Sequence, residues 1–128
     1  MLLHSLSGRK TCERVKTKGV LWKGKHMQAR SIPGLPRHLP RDAKTGIYVG
    51  TVTSAKLDKS AVKRNRMRRR CKEALRLVLL AKSQSSQLTA HSSTQLLIFP
   101  RSSSLSAPFT ELLSDADRLL HFLLTLRG

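Results

Sequence analysis

Residues 60–82 read SAVKRNRMRRRCKEALRLVLLAK, and no residue in this stretch interrupts a helix. Strong helix formers occur throughout it. At about 100° per residue, five apolar side chains fall within an arc of about 100°. They are Met67, Cys71, Ala74, Leu75 and Val78. The stretch therefore predicts a long helix with one core-facing stripe, and Arg64 continues the line of that stripe at the start of the helix.

The remaining elements are predicted on either side of this helix. They are a helix over Arg9–Lys18, strands over Val20–Trp22, His26–Ile32 and Ile47–Thr53, then a strand over Gln95–Phe99 and a helix over Pro108–Leu126. We expect Gly19 to end the first helix in the left-handed conformation. The Pro-rich segment 33–46 and the Ser- and Gln-rich segment 83–94 are predicted loops. The order α-β-β-β-α-β-α in 128 residues predicts one domain of mixed α and β structure, over 1–128.

The charge of the chain is large and unevenly distributed. Lys and Arg number 25 against 7 Asp and Glu, a formal charge of +18, and 21 of the 25 basic residues lie in residues 1–76. A domain that repels itself this strongly usually has a polyanionic partner. The residues after 76 are nearly neutral, so they are predicted to form the fold, whereas the first part carries the electrostatic interaction.

The segment from Lys56 to Arg76 is the most basic part, with ten Lys or Arg and only Asp58 and Glu73 to offset them. Like charges three or four residues apart destabilise a helix by a few tenths of a kcal/mol per pair. Bound phosphates would relieve that repulsion, and arginine, which outnumbers lysine here, binds phosphate oxygens bidentately. The segment predicts a nucleic-acid-binding helix.

Several other kinds of site and location are disfavoured. Cys12 and Cys71 lie far apart with no ligand-spaced partner, which predicts reduced thiols rather than a zinc site. No apolar run reaches 18 residues, and the N-terminus lacks a secretory apolar region, so we expect a cytoplasmic protein without a membrane partner. A membrane-surface helix would carry Trp or Phe on its apolar face, where this chain has Met67, Cys71 and Leu75.

The acidic, histidine and aromatic residues do not form a catalytic pattern. A metal-dependent nuclease needs clustered carboxylates, but the acids are scattered, and we expect Glu111, Asp115 and Asp117 to lie on the polar face of the last helix. The five histidines are predicted to be surface or packing residues. Phe99 is expected in the core, whereas Trp22 and Tyr48 are equally compatible with packing and with stacking on bases.

Residues 64–73 resemble a motif of the protein subunit of bacterial ribonuclease P. The family motif is R-N-R-x-[KR]-R-x-x-[KR]-E at the start of a helix, preceded by lysines and an Ala-Val pair. This chain has Lys56, then Ala61 and Val62, and the motif positions are Arg64, Asn65, Arg66, Arg68, Arg69, Lys72 and Glu73. Ten ordered positions after a strand seldom occur by chance. Weaker similarity in the first helix, the strands and the last helix extends over most of the chain.

The resemblance implies a fold and a function. The fold is an α/β (α+β) two-layer sandwich with a left-handed βαβ crossover. The function is that of an accessory subunit, because an RNA subunit with bound Mg²⁺ removes the 5′ leader of precursor tRNA. The implied partners are therefore the catalytic RNA and precursor tRNA, and neither a protein-bound metal nor a protein partner is expected. The residues expected to bind RNA are Lys56, Lys59, Lys63, Arg64, Asn65, Arg66, Arg68, Arg69, Arg70 and Lys72.

The leader is implied to bind in a cleft between the first helix and the sheet. The residues expected there are Cys12, Val15, Lys16 and Tyr48. The family usually has aromatic residues where this chain has Cys12 and Lys16, and stacking on a ring is worth about 1–3 kcal/mol per base. The leader site is therefore expected to be weaker or more electrostatic here. A basic ribosomal or ribosome-assembly protein without a role in cleavage is the alternative, since it would share the charge and the RNA-binding helix.

Overall fold

The computed structural model describes residues 2–36, 39, 46–83 and 93–127. Its elements in chain order are β1 (Leu2–Ser5), α1 (Arg9–Lys18), β2 (Val20–Lys23), β3 (Met27–Pro33), β4 (Gly46–Thr51), α2 (Ala61–Ser83), β5 (Thr94–Pro100), a 3₁₀ turn (Ser102–Leu105) and α3 (Phe109–Arg127). The predicted class and the predicted order are confirmed. The two predicted loops lie largely outside the described residues, and the residues at their ends belong to strands or to α2.

The five strands form one sheet in the order β1-β4-β5-β3-β2. Strand β3 is antiparallel to β2 and β5, whereas β4 is parallel to both β1 and β5. Strands β4 and β5 are joined through α2, which gives the expected βαβ unit, and its left-handed crossover stays a prediction. Strand β1 was not predicted, because four residues carry too little pattern and its hydrogen-bonded partner, β4, is distant in sequence.

Apolar side chains of the sheet alternate between two faces that are covered by different helices. On one face Met27, Val49, Leu96 and Ile98 pack with α2 and α3 in the larger core. On the other face Ile32, Tyr48 and Leu97 pack with Val15 of α1 and with Leu6 in a smaller core. Helices α2 and α3 form the second layer of the predicted sandwich, and α1 adds a partial layer on the opposite face.

The predicted apolar stripe of α2 is buried in the larger core. Met67, Cys71, Ala74 and Leu75 are all at most 1% exposed, and Val78 is partly buried. Burial of a large apolar side chain contributes about 1.5–3 kcal/mol. The stripe therefore anchors the basic helix to the fold, as the sequence predicts.

Gly19 ends α1 but not in the conformation expected. Its φ and ψ are −71° and 151°, so the backbone is extended and leads directly into β2, and the prediction of a left-handed residue is wrong. The reason for glycine is space: a Cβ at this position would lie 2.4 Å from the carbonyl oxygen of Val15 and 3.0 Å from the Cβ of Arg30. A tight crossing of α1 over β3 thus requires a residue without a side chain.

Replacing this glycine should destabilise the fold despite its ordinary φ. We expect Gly19→Ala to lower the free energy of unfolding by about 1–3 kcal/mol, as overpacking does, in urea denaturation. The matched control is Lys18→Ala at the exposed neighbouring position, which should change it by less than about 0.5 kcal/mol. Equal stability of Gly19→Ala and the wild type would contradict the close approach.

The polar face predicted for α3 is wrong at one position. Asp117 is exposed and pairs with Lys82 at 3.2 Å, but Asp115 is 1% exposed. Its two carboxylate oxygens accept hydrogen bonds from the backbone N–H groups of Lys25 at 3.1 Å and His26 at 2.6 Å. Asp115 is three residues after Leu112 and four before Leu119, so its helical spacing places it on the buried face.

His26 is the centre of this buried network. Its Nδ1 lies 2.8 Å from Ser103 Oγ and its Nε2 lies 2.8 Å from Glu111 Oε1. Glu111 also pairs with the Lys25 ammonium at 3.1 Å. The hydrogen bonds from His26 and then from Lys25 hold the pKa of the Glu111 carboxyl below its ordinary range. The network ties the start of β3 to the 3₁₀ turn and to α3.

A lowered folded-state pKa makes the contribution of Glu111 to stability depend on pH. The stabilisation is fully present above the unfolded value of about 4.3 and is lost as the pH falls through the lower folded value. We therefore expect Glu111→Gln to be less stable than the wild type near neutral pH, with a difference that shrinks below about pH 4.3. Urea denaturation across this pH range measures the difference in free energy of unfolding between the variant and the wild type. A difference that does not change with pH would contradict the role of Glu111 in the network.

Candidate nucleic-acid interface

The loop before α2 fixes the position of the basic helix. The Ser60 backbone N–H donates to Asp58 Oδ1 at 2.8 Å, and Ser60 Oγ accepts from the Lys63 N–H at 3.3 Å as an N-cap. Arg64 Nη1 donates to the carbonyl oxygens of Asp58 at 2.7 Å and Lys59 at 3.2 Å. Arg64 therefore lies at the start of the helix, as predicted, and also holds the loop that carries the lysines before α2.

Most predicted RNA-binding residues come together on one surface. We define the α2 surface as Lys56, Lys59, Lys63, Arg66, Arg68, Arg69 and Lys72, all exposed or partly exposed. A pocket of about 320 Å³ opens on it, lined by Thr51 of β4 and by Asn65, Arg68, Arg69 and Lys72 of α2. Asn65 Oδ1 accepts a hydrogen bond from Arg68, which orients that guanidinium.

The positive charge of this surface is not neutralised by the protein. The ion pairs found in the described ranges involve Lys25, His26, Arg76 and Lys82, so none of them reaches the α2 surface. Arg76, one turn further on, is paired with Glu73, whose pKa is lowered by that hydrogen bond. Within the Lys56–Arg76 segment, the cations without an ion pair therefore lie in the N-terminal half of α2 and the loop before it, an arrangement that fits a phosphate backbone.

Arg70 differs from its neighbours because its guanidinium contacts the protein itself, and its predicted contact with RNA stays a prediction. Its Nη1 donates to the carbonyl oxygens of Ser104 at 2.7 Å and Leu105 at 2.8 Å, and its Nη2 donates to the carbonyl oxygen of Ala107 at 2.5 Å. These carbonyls belong to the 3₁₀ turn and the residues after it. The contacts indicate that Arg70 supports the fold, and nothing in the local sequence distinguishes it from Arg69.

Single substitutions should separate the two arginines. We expect Arg70→Ala to lower the free energy of unfolding by about 2–3 kcal/mol, because three carbonyls lose a charged donor. Arg69→Ala should change stability by less than about 0.5 kcal/mol but reduce the slope of log affinity for RNA against log salt by about 0.7–0.9. A normal slope for Arg69→Ala, or full stability of Arg70→Ala, would contradict these roles.

A second feature lies on the opposite face of the sheet, between α1 and strands β2, β3 and β5. We call it the α1 groove; its volume is about 370 Å³, and its lining includes Glu13, Lys16, Leu21, Gln28, Arg30 and Phe99. Gln28 and Phe99 are paired neighbours on β3 and β5, so their side chains lie on the same face. The groove has the mixed character of a base-binding site, with a ring, two amphipathic cations and polar groups.

The four residues expected in the cleft occupy different places. Lys16 lines the α1 groove, but Val15 is fully buried and Tyr48 is only 6% exposed. Tyr48 stacks on His4 with ring centroids 4.7 Å apart, and Cys12 is half-buried above the smaller core. Val15 and Tyr48 therefore pack in the smaller core, and their role at the leader site stays a prediction.

The aromatic residues are divided between the two faces of the sheet. Trp22 was predicted either to pack in the fold or to stack on bases, and the structure packs it against the larger core. Phe99 was expected in the core; it is half-buried, packs against the smaller core and also lines the α1 groove. The signal was present in the strand alternation, since Leu96 and Ile98 face one side while Leu97 and Phe99 face the other.

The thiols and acids do not form a catalytic site in the described part of the chain. Burial raises the pKa of Cys71 to about 11, and burial followed by the nearby Glu13 charge raises that of Cys12. Neither thiol is therefore a thiolate near neutral pH. Within the described ranges no group of three or more His, Cys, Asp or Glu side chains could hold a metal ion, and no helix there has an apolar stretch long enough to cross a bilayer.

Comparisons with known proteins identify the fold and the family. Residues 3–123 match the family model described as Ribonuclease P. The RNase P protein of Thermotoga maritima matches with a TM-score of 0.63 at 14% identity, over 98% of this chain and 99% of that one. The RNase P protein of Staphylococcus aureus matches with a TM-score of 0.61 at 14% identity, over 94% of both chains. No protein with a curated description matches the sequence.

Proposed function

This chain belongs to the Ribonuclease P family, and from that premise we propose that it binds the catalytic RNA of ribonuclease P and the 5′ leader of precursor tRNA. The RNA subunit would carry the chemistry, and the protein would assist endonucleolytic removal of the leader. The observation that carries the proposal is the set of unneutralised cations on the α2 surface, at the positions of the family motif. Because the proposed substrate is precursor tRNA, we propose that the protein acts in the cytoplasm.

The α2 surface is the proposed contact with the catalytic RNA. Phosphate oxygens would replace the missing carboxylates beside Arg66, Arg69 and Lys72, while the guanidinium of Arg68 is oriented by Asn65. Arg64 would contact RNA with the guanidinium nitrogens that the loop carbonyls leave free. It would therefore both hold the loop before α2 in place and bind RNA. Each neutralised phosphate releases counterions, which makes the binding strongly salt-dependent.

The α1 groove is the proposed leader site. It lies on the face of the sheet opposite α2, so one molecule can hold both RNAs at the same time. Its size suits a single strand rather than a helix, and single-stranded RNA is recognised through unstacked bases. Lys16 and Arg30 supply positive charge at the groove walls for the leader phosphates.

The family resemblance implies Mg²⁺ at the RNA subunit, where it would supply an activated water for phosphodiester cleavage. The residues of this protein do not fit a protein-held metal, because the described acids lie apart or are occupied. Glu111 and Asp115 bind the His26 region, and Glu73 binds Arg76. The protein would lower the magnesium requirement by neutralising RNA phosphates that otherwise need metal ions.

Reconstitution tests the proposal. At a magnesium concentration where the catalytic RNA alone is nearly inactive, adding this protein should raise the cleavage rate of precursor tRNA by about tenfold or more, which corresponds to about 1.4 kcal/mol. Lys63→Ala together with Arg69→Ala should abolish the stimulation, whereas Lys82→Ala, remote from both sites, should leave it unchanged. No stimulation of a correctly folded RNA would overturn the proposal and favour the basic ribosomal alternative.

A further inference from the structure

The first turns of α2 lie before the part of the helix that is buried. None of residues 61–66 is buried, and the buried stripe begins at Met67. Repulsion opposes helix formation in this part, because Arg66 lies four residues before Arg70. Side-chain hydrogen bonds therefore have to hold these turns in place. Arg64 supplies such bonds to the loop before α2, and Arg70 supplies them to the 3₁₀ turn.

The guanidinium of Arg70 is bound to the protein itself. Its Nη1 donates to the carbonyl oxygens of Ser104 and Leu105, and its Nη2 donates to that of Ala107. A phosphate that binds the two terminal nitrogens of an arginine bidentately needs a donor on each of them, and both donors of Nη1 are already used. Arg66 lies one turn earlier on the same flank of α2. It is exposed, and no ion pair in the described ranges includes it.

The 3₁₀ turn is a firm support for Arg70, because the turn is held from its other side by the start of β3. Ser103 Oγ lies 2.8 Å from His26 Nδ1, and the Arg101 N–H donates to the His26 carbonyl oxygen at 2.9 Å. Within the turn, the hydroxyl of the fully buried Ser104 donates to the Arg101 carbonyl oxygen at 2.7 Å. The carbonyl oxygens that Arg70 binds are therefore fixed relative to the sheet.

We propose that Arg70 is a positioning residue for RNA binding. It neutralises no phosphate itself, and it acts through Arg66 by holding the flank of α2 on which Arg66 meets the catalytic RNA. This inference rests on the proposed contact between the α2 surface and that RNA. Turns that are already ordered bind without the loss of conformational entropy that ordering them on binding would require. The three carbonyl dipoles around Arg70 also offset part of the repulsion between the two arginines.

The salt dependence of binding between the full-length protein and the catalytic RNA separates positioning from direct contact. Each neutralised phosphate contributes about 0.7–0.9 to the slope of log affinity against log salt. We expect Arg66→Gln and Arg70→Gln each to lower the slope by about that amount, and the double variant to lower it no further. Two independent phosphate contacts would together lose about 1.4–1.8. Arg118→Gln, which removes the same charge from an exposed position of α3, should leave the slope unchanged.

A merely structural role of Arg70 predicts a different result. Partial unfolding of the Arg70→Gln variant would lower the fraction of protein that binds RNA, whereas the slope measured for the folded molecules would stay that of the wild type. Circular dichroism and the stoichiometry of binding at saturating RNA give the folded fraction. A wild-type slope for this variant, at any folded fraction, would overturn the positioning role.

A measurement on the wild-type protein makes the test independent of how well the variants fold. Phenylglyoxal modifies arginines whose guanidinium is accessible, and mass spectrometry identifies each modified residue. Arg66 should react in the free protein and be protected by the catalytic RNA. Arg70 should react slowly both in the free protein and in the complex, because the carbonyl oxygens of the 3₁₀ turn occupy it in both states.

The outcomes separate this inference from the function on which it rests. Additive slope losses for Arg66→Gln and Arg70→Gln, or an Arg70 that reacts in the free protein and is protected by RNA, would mean that Arg70 binds a phosphate directly. Either result overturns the inference and leaves the proposed function standing. If the wild-type protein does not bind the catalytic RNA, the proposed function itself fails. A slope loss shared by the two variants, together with an unreactive Arg70, supports the inference.

Discussion

The packing of one face of α2 against the sheet and α3 determines where the positive charge of this protein lies. Met67, Cys71 and Leu75 are buried so completely that the helix cannot rotate about its axis. The remaining faces of its first turns must then carry the cations outward. The buried stripe supplies the stability that the charged N-terminal half of α2 lacks, because repulsion between neighbouring arginines opposes helix formation. Without the buried stripe there would be no ordered α2 surface.

The fixed orientation of α2 also divides the arginines between Lys56 and Arg76 into two groups. Arg64 and Arg70 lie where carbonyl oxygens of a preceding loop and of the 3₁₀ turn need donors, so they bind the protein itself. Arg66, Arg69 and Lys72 have no such neighbours among the described residues and remain available. Part of the basic segment thus stabilises the fold, and part of it is the proposed binding surface. The sheet separates this surface from the α1 groove, so the two proposed RNA sites lie on opposite faces.

The sequence predicted the parts of the fold that depend on local pattern. The apolar spacing of α2 was sufficient to predict that helix, and the alternation around Ile47 and Leu97 was sufficient to predict β4 and β5. The basic motif located the α2 surface. Features that depend on distant residues could not be predicted. Strand β1 requires β4, Gly19 requires the close approach of β3, and the burial of Asp115 requires the backbone N–H groups of Lys25 and His26. The α1 groove required the structure for the same reason, since Phe99 and Glu13 are 86 residues apart.

We propose the α2 surface as the site for the catalytic RNA and the α1 groove as the site for the leader, and lysine acetylation footprinting tests that division most directly. Binding of the catalytic RNA alone should protect Lys63 and Lys72 from the reagent and leave Lys16 reactive. Addition of precursor tRNA with a leader should then protect Lys16, whereas mature tRNA should not. Continued reactivity of Lys63 and Lys72 in the complex, or protection of Lys16 by the catalytic RNA alone, would contradict the account.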